Sequence, residues 1–549
     1  MFKIFKTNWV FLLVLVFASI LRLWNLGLIP PGLTPDEVSL GYNAYSILKT
    51  GKDEYGKVMP VIFKSFGDFK PGLYIYTSVP FVAVLGLNEF GVRLPNAIAG
   101  IIAVWLLYLI VKKMFKDERL AVISGLFLAI SPWHIQFSRG AWEVNLSLTL
   151  TLCGIYFFLR ALEKQKFLIL SALFFALTLI TYQGAKLSTG IVVLLLLVVY
   201  RKEVFSFKAK TLIVSTLIGV FISLPIILSF FNGQTGRLNV FSIFSYPRPK
   251  EYLETILGEG GEKVGDVTYY LFHSEGFSFL RTILLRYFNH FSGRFLFFEG
   301  DFGNPRHSAP NSGMLLLGDI ALLVFGVISF IKYGFKKESI FVWVWLLLSP
   351  LPAALSRDQV HAIRAYHEVI PLTIILAFGL SGLAQMKNKF IKAGFGILYL
   401  AGFIYFLDAY FVHLPAHNSQ YWGYGYKQIV EAVTPIQGNY KQIKIQKSFE
   451  QPYIYFLFYQ KYDPAKYQAQ AKLTENENRA DVGQVEKLDN ICFCAIDWSI
   501  NRGDHGMLIV ADPIRMPYED SKDEKLFKLV KEIKYLNGKD TAFRIVEVK

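Results

Sequence analysis

The chain has 549 residues, of which 53% are hydrophobic and only 18% charged, with 49 Phe and 30 Tyr. A soluble protein of this length exposes far more charge, so the composition excludes an ordinary soluble globule and points to a polytopic helical membrane protein. The net charge of +15 does not signal nucleic acid, because much of it falls in loops where it sets membrane orientation.

The first apolar run, "WVFLLVLVFASILRLWNLGL", follows Lys3 and Lys6. Its length of about 20 residues and its lack of a small-residue cleavage site argue for a retained anchor rather than a signal peptide. Further apolar runs predict spans near 9–28, 93–112, 119–137, 144–162, 166–182, 187–201, 210–231, 312–333, 338–356, 366–385 and 391–411. With a cytoplasmic N-terminus every second loop should be basic. "KKMFKDER", "RALEKQK", "RKEVFSFKAK", "KYGFKKES" and "KNKFIK" all are. The segment 71–87, "PGLYIYTSVPFVAVLGL", is short, Pro-interrupted and Tyr-rich, so it reads as a helix lying in the interface. The spans leave a first external loop at 29–92, a long external loop at 232–311 and a polar tail at 412–549. In the tail "YGYKQIVEAV" reads as an amphipathic helix, and "KQIKI" and "GMLIVADPI" read as strands. The fold expected is a membrane domain of about eleven transmembrane helices over 1–411, with juxtamembrane helices. A small extracytoplasmic α/β domain over 412–549 follows it.

The chemistry-bearing residues cluster in the external loops. In "LTPDEVSLGYNAYSILKTGK", Thr34, Pro35 and Glu37 fit an N-cap, N1 and a capping box, with Gly51 ending the helix. Capping does not require Asp36, which makes Asp36 the stronger candidate general base; Glu37 joins it as a second candidate acid. Beyond the third span, "SPWHIQFSRGAWEVN" adds Arg139 and Glu143. Beyond the ninth, "LSRDQVHAIRAYHEVIP" adds His361 and Arg364, three apart and so on one face of a helical turn. Lys70 and Arg93 are further external cations, and "FLFFEGDFGNPRHSAP" in the long loop offers Arg306 and His307. Each has an ordinary alternative: a cap, a headgroup contact or a surface pair. Together they describe carboxylates that take a proton from an acceptor and cations that receive a departing phosphate. Lys186 in "YQGAKLS" is given no role. Cys492 and Cys494 in "CFC" read as half-buried thiols rather than a metal site. No ligand spacing requires a cofactor, although a divalent metal ion is compatible with acids converging on His361.

The order "TPDE", "FKPGLYIY", "GLNEFGVRLPNAIAG", "SRGAWEVNLSL" resembles the GT-C glycosyltransferases of the protein O-mannosyltransferase and lipid A aminoarabinose transferase type. The resemblance covers about residues 10–150. It implies an inverting transferase that moves a sugar from a polyprenyl-phosphate donor to a protein, lipid or glycan acceptor at the outer face of the cytoplasmic membrane. It also implies Asp36 as base, Lys70 as a donor-site residue, Arg93 as the counterpart of the family's arginine, and Glu143 where relatives usually have Asp. The W-W-D acceptor motif of oligosaccharyltransferases is missing, since no two tryptophans are adjacent. The implied partners are the lipid-linked donor, membrane lipids and an acceptor of unspecified class, with no nucleic acid. The alternative is a transporter or flippase of lipid-linked sugars, which would need ionisable residues within spans and repeated halves. Asp319 and Asp408 are the main charges expected there, and no repeat is visible.

Overall fold

The computed structural model describes residues 2–231, 241–447, 451–470, 473–474 and 483–549; residues 232–240 of the long loop lie outside them. Every predicted span falls on a helix. These begin with α1 (Phe2–Leu23), followed after the first loop by α4 (Glu89–Phe115), α5 (Glu118–Ile130), α6 (Pro132–Arg139), α7 (Glu143–Ala161), α8 (Phe167–Leu179) and α9 (Ala185–Val199). Later helices cover Ala209–Phe231, Asp319–Tyr333, Lys337–Leu348, Val369–Ala384 and Lys389–Asp408. Among the described residues, five helices can cross a membrane alone by length and composition, and α5 with α6, bent by 58° at Ser131-Pro132, makes a sixth. Several others stop short, because Gly, Pro or a polar turn interrupts the apolar run.

The first loop is more structured than its sequence suggests. Helix α2 (Pro35–Thr50) starts with the expected capping box and ends at Gly51, whose φ of 68° suits glycine. A hairpin follows, β1 (Ile62–Ser65) against β2 (Asp68–Pro71), turned by Phe66 and Gly67 at φ 56° and 93°. The run at 71–87 becomes α3 (Leu73–Leu85), a 13-residue helix containing Pro80. At 1.5 Å per residue it reaches about 20 Å, against a hydrocarbon core of about 30 Å.

The C-terminal region forms a six-stranded mixed sheet of order β6-β7-β3-β8-β10-β9. Its strands are β3 (Ile443–Gln446), β6 (Lys487–Leu488), β7 (Ile491–Cys494), β8 (Leu508–Ala511), β9 (Phe527–Lys534) and β10 (Thr541–Val548); β4 (Leu473–Thr474) and β5 (Gln484–Val485) pair separately. β3 runs parallel to β7 and β8, whereas β10 runs antiparallel to β8 and β9. Cys492 and Cys494 are free thiols on β7.

Two large cores are present. One joins the apolar helices, from Phe11 on α1 to Leu414. The other unites the first loop with the C-terminal sheet: Val38, Tyr42 and Phe63 share it with Tyr455, Phe458 and Ile545. Polar contacts follow the same seam. Tyr455 Oη donates to Leu33 O (2.9 Å), Tyr42 Oη to Tyr462 O (3.2 Å), and Lys427 pairs with Glu89 (2.9 Å). Gly32, at φ 75°, meets the Trp422 carbonyl so closely that a Cβ there would stand 2.5 Å from it. The region 412–549 therefore shares its core with the first loop.

Candidate functional site

A cavity of about 900 Å³ opens among the external segments. Asp36 and Thr34 reach it from the start of α2, Lys70 from β2, and Trp142 and Glu143 from the start of α7. Gln183 and Lys186 enter from the α8–α9 turn, Arg306 and His307 from the long loop, and Asp358, His361 and Arg364 from the segment before Val369–Ala384. Residues separated by more than 300 positions thus meet in one place.

The sequence placed Asp36 and Lys70 in separate roles; the structure joins them. Lys70 Nζ donates to Asp36 Oδ1, with the lysine buried and the carboxylate half exposed. Strand alternation aims Lys70 at α2, and its ammonium lies 5.4 Å from the centre of the Phe66 ring. Glu143 occupies the first turn of α7, where the helix dipole favours an acid.

Glu37, Arg93 and Arg139 do not line the cavity. Glu37, 1% exposed, accepts from Thr34 N (3.0 Å), Ala141 N (2.9 Å), Arg93 Nε (2.9 Å) and Arg93 Nη2 (3.2 Å). It ties α2, α4 and the α6–α7 junction together. Arg93 is fully buried and also donates to the carbonyls of Leu26 (3.3 Å), Pro30 (2.8 Å) and Gly32. Arg139 donates to the carbonyls of Leu21 (2.7 Å), Trp24 (2.6 Å) and Ile29 (3.0 Å), under the ring of Phe411 at 4.9 Å. These groups organise the loop that leaves α1, and Arg93 and Arg139, expected among the substrate- and phosphate-binding cations, are buried away from the cavity instead.

Sequence reasoning also missed Arg22, whose Nη2 donates to His134 Nδ1 (2.6 Å) and whose guanidinium reaches the carbonyls of Ala18, Leu128 and Ala129. Arg22, Arg93 and Glu368 are all fully buried, so ionisable side chains within the helices are more frequent than the Asp319 and Asp408 expected there. A buried charge needs fixed partners, and the two arginines take backbone carbonyls that the sequence does not reveal.

The segment before Val369–Ala384, a late loop over 356–368, is stitched to the long loop by buried side chains. Asp301 Oδ2 accepts from Ala362 N (2.8 Å) and stands 2.6 Å from His307 Nδ1, while Oδ1 accepts from Gly303 N (3.2 Å). His290 donates from Nδ1 to Arg286 O (2.7 Å) and accepts at Nε2 from His361 N (3.1 Å). Burial pushes the His290 imidazole down to about 4. Burial, assisted by Arg364, holds His361 well below the ordinary histidine range. Arg364 Nη1 donates to Asp358 Oδ2 (2.6 Å), an acid that sequence reasoning did not single out. Lys186, given no role above, also reaches the cavity; its Nζ donates to Gln183 Oε1 (2.6 Å), and Gln183 donates to Phe69 O (2.7 Å). Asp301, His307 and His361 each offer a ligand atom, all within 4.8 Å of one another. The arrangement combines a lysine-bound carboxylate open to solvent with cations and imidazoles on neighbouring loops.

Residues 70–228 match the sequence profile of the family described as dolichyl-phosphate-mannose-protein mannosyltransferase. An uncharacterized protein of Aquifex aeolicus is 29% identical over 215 residues, covering 38% of this chain and 42% of that protein. The chain thus aligns with less than half the length of this curated relative. In fold it is similar to ArnT from Cupriavidus metallidurans, solved with undecaprenyl phosphate, at a TM-score of 0.56, 12% identity and 98% coverage of both chains. It is also similar to the archaeal oligosaccharyltransferase AglB from Archaeoglobus fulgidus, solved with an inhibitory peptide and a dolichol-phosphate. There the TM-score is 0.50 at 14% identity, over 83% of this chain and 64% of that one. The fold is GT-C-like and resembles those of ArnT and AglB, as expected from the sequence resemblance.

Proposed function

We propose that this chain is an inverting membrane glycosyltransferase that takes its sugar from a polyprenyl-phosphate donor and works at the outer face of the membrane. The observation that carries the reading is the convergence of Asp36, Lys70, Glu143, Arg306, His307, His361 and Arg364 on one cavity. The profile match and the lipid phosphates named with the two solved relatives support the donor class.

In this reading an acceptor hydroxyl or amine enters beside Asp36, whose carboxylate takes its proton as the acceptor atom bonds to the anomeric carbon. The bond from that carbon to the phosphate oxygen breaks with inversion, and the electron pair leaves with the polyprenyl phosphate. Lys70 orients the Asp36 carboxylate, while Arg364 and Arg306 compensate the charge gathering on the phosphate. Glu143 is the second carboxylate of the acceptor side. Glu37, Arg93 and Arg139 act indirectly, by fixing where α2 and α7 begin. In this reading the N-terminus lies in the cytoplasm and the C-terminal sheet outside, the orientation that the basic loops favour.

The test is release of polyprenyl phosphate from a synthetic polyprenyl-phosphate-sugar by the purified protein, with and without acceptor. Acceptor-dependent release, lost in Asp36→Asn, supports the reading. Donor that crosses the bilayer of vesicles intact, without release, supports a flippase and overturns it.

A further inference from the structure

Asp301, His307 and His361 present a combination that proton transfer and phosphate binding leave unexplained. Two imidazoles stand with ring centres 5.0 Å apart, and a carboxylate 2% exposed completes the group. Holding two rings and an acid together from separate loops costs conformational entropy and desolvation, which one shared ligand offsets. Imidazole nitrogen with carboxylate oxygen is a borderline donor set that suits zinc and its neighbours, whereas magnesium and calcium take oxygen-rich shells.

The surroundings are built as the outer shell of such a centre. Asp301 is held by the amides of Gly303 and Ala362, and His290 fixes the backbone of His361. Supporting hydrogen bonds of this kind orient metal ligands and set their tautomers. His307 and His361 also line the cavity, so one side of the group faces open space. Three protein ligands with one accessible position is the pattern of a centre that binds an exogenous group.

We infer that Asp301, His307 and His361 form a site for one divalent transition ion of the zinc class, open on the cavity side to an anionic oxygen. Ligands about 2.0–2.1 Å from a tetrahedral zinc ion stand roughly 3.4 Å apart, so modest side-chain rotations close the triad. The ion would fasten the long loop to the late loop and add a positive charge to the cavity.

The test measures binding rather than transfer, so its outcome is separate from that of the proposed reaction. Full-length protein carrying a tag without histidine is stripped with chelator, then titrated with Zn²⁺ against a chromophoric competitor and with Co²⁺ by its visible absorption. One ion per chain is expected. His307→Gln and His361→Gln should each weaken it by about 100-fold and Asp301→Asn by at least tenfold, with ion-free melting temperatures near that of the parent. If a variant fails to fold, X-ray absorption of the zinc-loaded parent decides, and two imidazoles in the inner shell support the site. Less than stoichiometric binding, unchanged affinity in the folded double histidine variant, or an inner shell without imidazole overturns it.

Discussion

Replacing Glu37 by Gln asks whether this buried acid is only a helix cap. The capping box alone sets the expected loss below about 1 kcal/mol, because the amide keeps an acceptor oxygen. The structure raises that figure. One carboxylate oxygen serves Arg93 Nε and Ala141 N, and the other serves Arg93 Nη2 and Thr34 N. Either orientation of the amide turns its NH₂ toward two donors, leaving both without an acceptor. Two orphaned donors at about 1–3 kcal/mol each, and a buried guanidinium without its counter-charge, place the loss at roughly 3–5 kcal/mol. The carbonyls of Leu26, Pro30 and Gly32 still hold Arg93, which favours the lower end. Asp36→Asn, at a half-exposed carboxylate, should by contrast change stability by less than about 1 kcal/mol. Equilibrium unfolding of both variants in the same detergent measures the difference. A Glu37→Gln protein as stable as Asp36→Asn would refute the argument that Glu37 is the counter-charge joining α2, α4 and α7.

Asp36→Asn should lower sugar transfer by about 10²- to 10⁴-fold at saturating donor while leaving donor binding intact; transfer within threefold of the parent would remove Asp36 as base. Arg364→Ala should lower turnover by roughly 30- to 1000-fold, and Arg364→Lys should restore only part because a planar fork becomes a point charge. Turnover within a factor of two for Arg364→Ala would detach it from the phosphate. Glu54 is fully buried, with Oε1 accepting from Asn43, and desolvation pushes its carboxyl up to about 8 from 4.5. The unfolded chain then releases the proton before the folded one, so this group's contribution is fully present below pH 4.5 and falls as pH rises toward 8. Melting temperatures of Glu54→Gln should decline less over that window, and parallel curves would contradict the assignment. Cys492 and Cys494 should react with an impermeant thiol reagent in intact cells, whereas Lys113→Cys should not; labelling at 113 would reverse the orientation.

The sequence carried the helices because each apolar run, basic loop and cap is local. Thr34, Pro35, Glu37 and Gly51 announce α2 by themselves. The cavity was legible as residue types but not as partnerships: Asp36 with Lys70 needs the β1–β2 hairpin, which sequence reasoning did not predict. Arg93 and Arg139 illustrate the main gap. An arginine beside a span has the same sequence signature whether it meets headgroups or buried carbonyls, and only the path of residues 24–32 distinguishes them. Asp358 pairs with Arg364 within its own loop but reads in sequence as an ordinary surface acid, and the tie from Asp301 to Ala362 on another loop needs the folded chain.

The seam between the first loop and the C-terminal sheet also has a consequence in time. Leu33 is held by a residue 422 positions later, and Tyr42 by one 420 positions later. At about 5–20 residues per second, a ribosome needs roughly 20–80 s to cover that interval. During that time α2 already carries its acids, but the surface against which it packs has not been made. The nascent protein therefore inserts its helices first and receives the clamp on its candidate base among the last things translated. A chain interrupted before Tyr455 has its membrane helices and the tie from Glu37 to Arg93 and Ala141, but the apolar face of α2 is left uncovered, so completing the chain finishes the seat of Asp36.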